Sequence, residues 1–172
     1  MNYQLISITH SELKTVQIKS ICQLKDMEWK FGIKSQLKWF KKNIKKNDIH
    51  NLFYIRSKLI GYTLLRQRTC KINNSTKKVK YLLFDTIILD NSFRNKKLST
   101  LLMDFNNTII KQSNFFSFLI CKKKMVNFYK KNQWKVLNKA NIRIIDNKFS
   151  DKGMIFNIND YNSKKYQFFF KK

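Results

Sequence analysis

Proline is absent from this sequence, and glycine occurs only three times in 172 residues. Those two shortages exclude collagen-like, Pro-rich and Gly/Ser-linker classes. The three cysteines, Cys22, Cys70 and Cys121, are odd in number and contain no close pair. Neither a disulfide framework nor a Cys-rich metal site is expected from them. No apolar run reaches the roughly 18 residues that a membrane-spanning helix needs. The first twelve residues show no basic region followed by an uninterrupted apolar one. The expected compartment is therefore the cytoplasm, with no transmembrane segment.

Acidic residues are also scarce, 10 against 36 Lys and Arg, which leaves a formal charge of +26. Such asymmetry suits a nucleic-acid binder but does not establish one. The positive residues are 31 Lys and 5 Arg, accompanied by 19 Asn, 20 Ile and 15 Phe. That pattern also fits a coding bias toward Lys, Asn, Ile and Phe, which needs no partner to explain the charge. With 43% hydrophobic and 15% aromatic residues the chain is too apolar for a disordered basic tail and can fill a core. Its length and the lack of a linker or repeat predict a single domain over 1–172. Within it, 164–172 reads as a terminal edge strand or a flexible tail.

Hydrophobic periodicity predicts a strand over Leu5–Ile8, then a helix capped by Thr9 or Ser11 with Leu13, Val16, Ile21 and Leu24 on its apolar side. A second amphipathic helix is expected over Ser35–Ile44. Residues 51–68 read as two strands turning around Ser57-Lys58, and Tyr81–Leu89 as another strand. A polar loop, 90–99, leads into a helix with Leu98, Leu101, Leu102, Phe105, Ile109 and Ile110 on one face. Phe115–Cys121 is predicted as a strand, Met125–Lys131 as a short helix, and Trp134–Leu137 and Lys152–Ile158 as strands.

The strand ending at Leu89, the basic loop and the helix start make a candidate anion cradle. Backbone N–H groups at a helix start have no intrahelical acceptor, and Arg94, Lys96 and Lys97 add positive charge. An ordinary capped helix beside a solvated basic loop would carry the same residues. His10 and His50 belong to no metal-ligand pattern, and no metal is expected.

Tyr81–Leu102 resembles the cofactor-binding segment of the GNAT superfamily of acyl-CoA N-acyltransferases. Where that family has Arg/Gln-x-x-Gly-x-Gly/Ala, this chain has Arg94-Asn95-Lys96-Lys97-Leu98-Ser99. Residues 119–134 are similar to the family's strand followed by Phe-Tyr-x-x-x-Gly-Phe/Trp, with Phe128-Tyr129 retained and Gln133 in place of glycine. Lys58-Leu-Ile-Gly61-Tyr resembles its central hairpin, so the likeness covers roughly 50–137.

The resemblance implies an α/β fold with a mixed, mostly antiparallel central sheet, flanking helices and a cofactor cleft where central strands splay. It implies acetyl-CoA as acyl donor and a small-molecule amine as acceptor, such as an amino sugar or a nucleotide-linked amino sugar. Backbone groups of Ile87, Ile88 and Leu89 would hold the pantetheine arm, with the Leu89 amide polarising the thioester oxygen. Backbone amides of Lys96, Lys97, Leu98 and Ser99 would hold the pyrophosphate, Arg94 and Asn95 belong to the same cofactor-binding loop, and Asn127 and Lys130 would line the nucleotide. A helical φ/ψ with an outward side chain would let Lys97 replace the family's glycine. Tyr129 corresponds to the thiolate-protonating tyrosine, and Asp85 to a carboxylate that accepts the amine's proton or anchors the acceptor. Cys121 reads as a strand residue rather than an acyl nucleophile. Two other readings stay open: a basic RNA- or ribosome-associated protein, and a catalytically degenerate acyl-CoA-binding module. A homodimer and nucleic acid remain open as partners.

Overall fold

β-Branched and aromatic side chains fill the stretches that become strands, and their alternation decides which face each residue buries. The computed structural model describes residues 2–94, 96–145 and 151–170. In chain order its elements are β1 (Tyr3–Thr9), α1 (Thr15–Trp29), α2 (Ile33–Asn43), β2 (Ile49–Ile55), β3 (Lys58–Ile72), β4 (Val79–Leu89) and α3 (Leu98–Gln112). There follow β5 (Ser117–Cys121), α4 (Val126–Lys131), β6 (Lys135–Val136), β7 (Ile142–Ile144), β8 (Lys152–Phe156) and β9 (Tyr166–Phe169). Hydrogen bonding gives the strand order β1-β2-β3-β4-β5-β8-β6, with β9 paired to both β3 and β7. The β4–β5 and β7–β9 pairs are parallel, whereas β1–β2, β2–β3, β3–β9, β5–β8 and β6–β8 are antiparallel. The fold is therefore mixed α/β with a mostly antiparallel sheet and flanking helices, as expected.

The chain forms two units, each drawn from two stretches: Met1–Arg66 with Thr86–Asn107, and Gln67–Asp85 with Thr108–Lys172. In the first, neighbouring strand residues serve different cores. Leu52, Tyr62, Leu64 and Ile88 pack with Ile21, Cys22 and Leu24 of α1 and Phe40 of α2. Phe53, Ile60 and Leu89 pack with Leu102 of α3. Leu52/Phe53 and Ile88/Leu89 thus divide between the two faces, which is the period-2 pattern of a sheet covered on both sides. Gly61 permits the approach of α3: a Cβ there would lie 3.1 Å from Leu102 and 3.2 Å from Leu89 and Phe53. A buried polar cluster also ties β2 and β3 to α3. Asn51 Nδ2 donates to Thr63 Oγ1 and Asn106 Oδ1, both at 3.0 Å, and Thr63 Oγ1 donates to Asn106 Oδ1 at 2.7 Å.

The second unit is built around aromatic side chains from Tyr81, Phe118, Tyr166 and Phe168. Phe118 and Phe168 stack with ring centroids 3.9 Å apart. That stacking, with β9 hydrogen-bonded on both sides, explains why the segment expected as an edge strand or tail is flanked by β3 and β7. Lys171 and Lys172 lie outside the described residues.

Two sequence expectations shift. Thr9 and Glu12 close a short 3-10 turn, with Thr9 N–H donating to Glu12 Oε2 at 2.9 Å, and α1 begins only at Thr15. Val16 therefore stands in the first turn and is exposed rather than apolar-face. The three-residue β7 is too short to leave a periodic signal, and it forms by pairing with β9.

Candidate active site

β4 is bonded to β5 at only two residue pairs, Leu82↔Ser117 and Leu83↔Phe118. Beyond Leu83 that edge of β4, from Phe84 to Leu89, has no strand partner among the described residues. Parallel strands that part in this way leave amides and carbonyls available to an extended ligand, much as a sheet edge does. The side chains of Ile88 and Leu89 are buried and that of Ile87 is partly buried, which fixes the strand. Asp90 N–H donates to the Ile60 carbonyl at 2.7 Å and ends the strand.

The loop after β4 is organised by Asp90. Its Oδ1 accepts the Ser92 N–H at 3.0 Å, and its Oδ2 lies 2.8 Å from Lys58 Nζ. Burial pushes this carboxyl upward, but the Lys58 ammonium and the Ser92 hydrogen bond outweigh it and hold the group below the usual range. Lys58 and Lys96 each place an ammonium 5.5 Å from the Phe93 ring. Arg94 Nε donates to the Leu89 carbonyl at 3.3 Å, and its Nη2 donates to Glu28 at the end of α1.

Lys97 has φ 58, in the left-handed region, and its carbonyl accepts from Thr100 and Leu101 at 3.2 and 3.3 Å. The ordinary helical φ/ψ expected for it is not what the fold uses. Lys97 caps α3 in the conformation that glycine adopts most readily, with its side chain exposed. Leu98 and Ser99 open α3 and are partly buried. Lys96 is exposed, and Asn95 lies outside the described residues.

In the second unit α4 carries Tyr129. The helix ends in a two-bond C-terminal motif: Trp134 N–H donates to the Tyr129 carbonyl at 3.1 Å and Gln133 N–H to the Lys130 carbonyl at 3.0 Å. Gln133 has φ 69, so the second lost glycine again leaves the left-handed backbone intact. The Tyr129 ring meets Phe84, Phe128 and Trp134 with centroids 6.2, 5.2 and 6.1 Å away. Its phenol makes no hydrogen bond among the described residues. Burial, with a smaller contribution from nearby Cys121, raises its pKa well above that of ordinary tyrosine, so the hydroxyl keeps its proton.

Asp85 follows Phe84 on β4 and is exposed where Phe84 is buried. Alternation along the strand sends the carboxylate away from the side on which Phe84 meets Tyr129. Asn127 and Lys130 both occupy exposed positions on α4. Burial pushes the Cys121 thiol up to about 11, helped by Asp151, and its Sγ lies 3.7 Å from Met154 Sδ. A buried strand thiol that holds its proton is a weaker nucleophile than a thiolate. Among the described residues no group of three or more His, Cys, Asp or Glu side chains is placed to hold a metal. Sequence reasoning missed Glu28, Phe84 and Asp90. An acidic residue closing a strand and bonding two residues ahead is a recognisable turn signal for Asp90, whereas Glu28 meets Arg94 from 66 residues away and leaves no local trace.

Several solved structures superpose on most of this chain. Escherichia coli ElaA superposes with a TM-score of 0.62 at 15% identity, over 90% of this chain and 99% of that one. The fold is that of the GNAT N-acetyltransferases. An acyl-CoA N-acyltransferase from Pseudomonas aeruginosa gives a TM-score of 0.65 at 10% identity, over the same shares of the two chains. The PaiA N-acetyltransferase of Thermoplasma acidophilum, solved in complex with coenzyme A, gives 0.57 at 16% identity, over 90% and 98%. No family model matches the sequence, and no curated protein does. The GNAT likeness is thus carried by the fold of the backbone more than by residue identity. No described helix is long and apolar enough to cross a membrane.

Proposed function

We propose that the protein transfers an acetyl group from acetyl-CoA to a primary amine of a small molecule. The observation that carries this reading is the open edge of β4 followed, after the Asp90 loop, by a left-handed cap and the amide-bearing first turn of α3. A thioester supplies an activated acyl group when bound. Backbone groups of Ile87, Ile88 and Leu89 would hold its pantetheine arm, and the first-turn amides beside Lys96, Lys97, Leu98 and Ser99 would hold the pyrophosphate. Arg94, Asn127 and Lys130 complete the cofactor assignment, with Asn95 assigned by sequence alone.

Tyr129 donates a hydrogen bond to the departing sulfur. Because burial raises its pKa, the phenol is a weak acid. Its contribution is a hydrogen bond that stabilises the developing thiolate charge while the phenol keeps its proton. Asp85 is the anchor or proton acceptor for the incoming amine. Its placement away from the Phe84 side suits that division, since an attacking amine and a departing thiolate occupy different sides of the reacting carbon.

An amino sugar or a nucleotide-linked amino sugar is the acceptor we favour, because a chain of charge +26 draws anionic conjugates and repels polycations. Calorimetry with acetyl-CoA and an amine panel tests the whole reading. Saturable binding is expected, with turnover falling about 100-fold in Tyr129→Phe while cofactor affinity stays within about twofold. Absence of saturable binding by folded protein overturns it.

A further inference from the structure

Arg94 is the one arginine of the cradle loop, and its guanidinium is already engaged. Nε is fixed on the Leu89 carbonyl, while Nη2 reaches Glu28 at the C-terminal turn of α1. Neither partner is buried: the Arg94 and Glu28 side chains are 45% and 41% exposed. Glu28 occupies an unfavourable place for a carboxylate. The carbonyl end of a helix carries partial negative charge, and no basic residue stands in the last turn of α1 to offset it. Arg94 is its described counter-charge. Immediately beyond, Lys30 takes φ 32 and Gly32 takes φ 81, and Met27, Trp29 and Phe31 are exposed.

We propose that Glu28 is an internal competitor for Arg94, a carboxylate that holds the guanidinium until a diphosphate takes its place. This rests on the acyl-CoA reading above and adds a partner exchange to it. The guanidinium is a rigid planar fork, so with Nε on the Leu89 carbonyl a diphosphate must reach the same outer nitrogens that Glu28 holds, and two anions sharing one cation repel each other. When the diphosphate wins, Glu28 faces the negative helix end alone and the last turn of α1 loosens. Arg94 thereby links occupancy of the loop to the order of the α1–α2 corner. Glu28 touches no reacting atom and is a positioning residue.

The test is a double-mutant cycle on intact protein, with coenzyme A and S-acetylpantetheine, which lacks the diphosphate, as probes. Glu28→Gln should bind coenzyme A about two- to fivefold more tightly, the range expected for releasing one exposed ion pair, with S-acetylpantetheine binding unchanged. Arg94→Ala should weaken coenzyme A binding, and adding Glu28→Gln to it should have no further effect. Amide hydrogen exchange over 26–30 should quicken when coenzyme A binds to wild type. Unchanged or weaker binding of coenzyme A by Glu28→Gln overturns the competitor role while leaving acyl transfer intact. A wild-type protein that binds no coenzyme A overturns both.

Discussion

Lys97 and Gln133 show what a sequence pattern hides at the scale of one residue. Each replaces a glycine of the GNAT pattern, yet their φ values of 58 and 69 preserve the left-handed turns that glycine would make. Letters at those positions argue against the motif, and the backbone argues for it. Side chains with a Cβ pay roughly 1–2 kcal/mol in that region, and glycine returns part of this through unfolded-state entropy. Gln133→Gly should therefore stabilise the protein by about 1 kcal/mol, read as a higher midpoint in urea; a lower midpoint would show that the glutamine side chain contributes packing. Tyr129 stands out in the sequence because Phe128-Tyr129 survives as a pair. Its contact with Phe84 does not, since only the fold brings that ring to the phenol.

His50 poses a different residue-scale question. It is fully buried, with Nδ1 2.8 Å from the Tyr62 hydroxyl and its ring near Phe40 and His10. Burial first, then the neighbouring His10 and Lys25, lowers its pKa from 6.5 to about 3. The unfolded chain thus takes up a proton below pH 6.5 that the folded chain refuses until about pH 3. Stability contributed by neutral His50 is full above that window and is lost as pH falls through it. Urea midpoints measured from pH 7 to pH 4 should fall less steeply for His50→Gln than for wild type. Equal slopes would mean that His50 protonates without cost.

Among elements, α3 is where sequence and structure diverge most instructively. Apolar periodicity correctly places Leu102 and Ile110 inside, but the helix also buries Met103, Asn106 and Asn107. A hydrophobic template assigns asparagine to solvent, whereas here Asn106 gains Asn51 and Thr63 as partners from two strands. Such a cluster fixes the helix along its axis more sharply than leucines do, because hydrogen bonds are directional. Asn106→Leu should cost about 1–3 kcal/mol by removing the buried acceptor that the Thr63 hydroxyl and the Asn51 amide share. Denaturant unfolding measures that loss, and a neutral result would assign the helix position to Leu102 packing instead. The open edge of β4 was legible only through family likeness. Nothing in Phe84–Leu89 announces that a paired strand stops at Leu83, because pairing is decided by where β5 diverges.

For the whole molecule, the charge of +26 neither chose the fold nor marks one interface. Strand and helix patterns carry over from sequence because they depend on local alternation. The two-unit division does not, because each unit closes on contacts between distant stretches. Charge should instead govern association with anions. Raising KCl from 50 to 500 mM should weaken coenzyme A binding on the order of threefold to tenfold by screening, and binding indifferent to salt would assign recognition to neutral backbone groups alone. Filter binding to RNA at low salt separates the remaining macromolecular reading. Salt-sensitive RNA retention by a variant that no longer binds coenzyme A would favour it.

The interleaving of the two units also sets an order of events during synthesis. The first unit possesses all its strands and the opening turns of α3 once Asn107 has left the ribosome, before any of β5 to β9 exists. The stretch Gln67–Asp85, the far end of the β3–β4 hairpin, must then wait with its aromatic side chains uncovered until the rest of its unit arrives. A chaperone that recognises exposed aromatic segments would find its target there, in the nascent chain and not in the finished protein. Nascent chains arrested after Asn107 and probed by limited proteolysis should be cut within 67–85 while 1–66 resists, and protection of both would show that the order is otherwise.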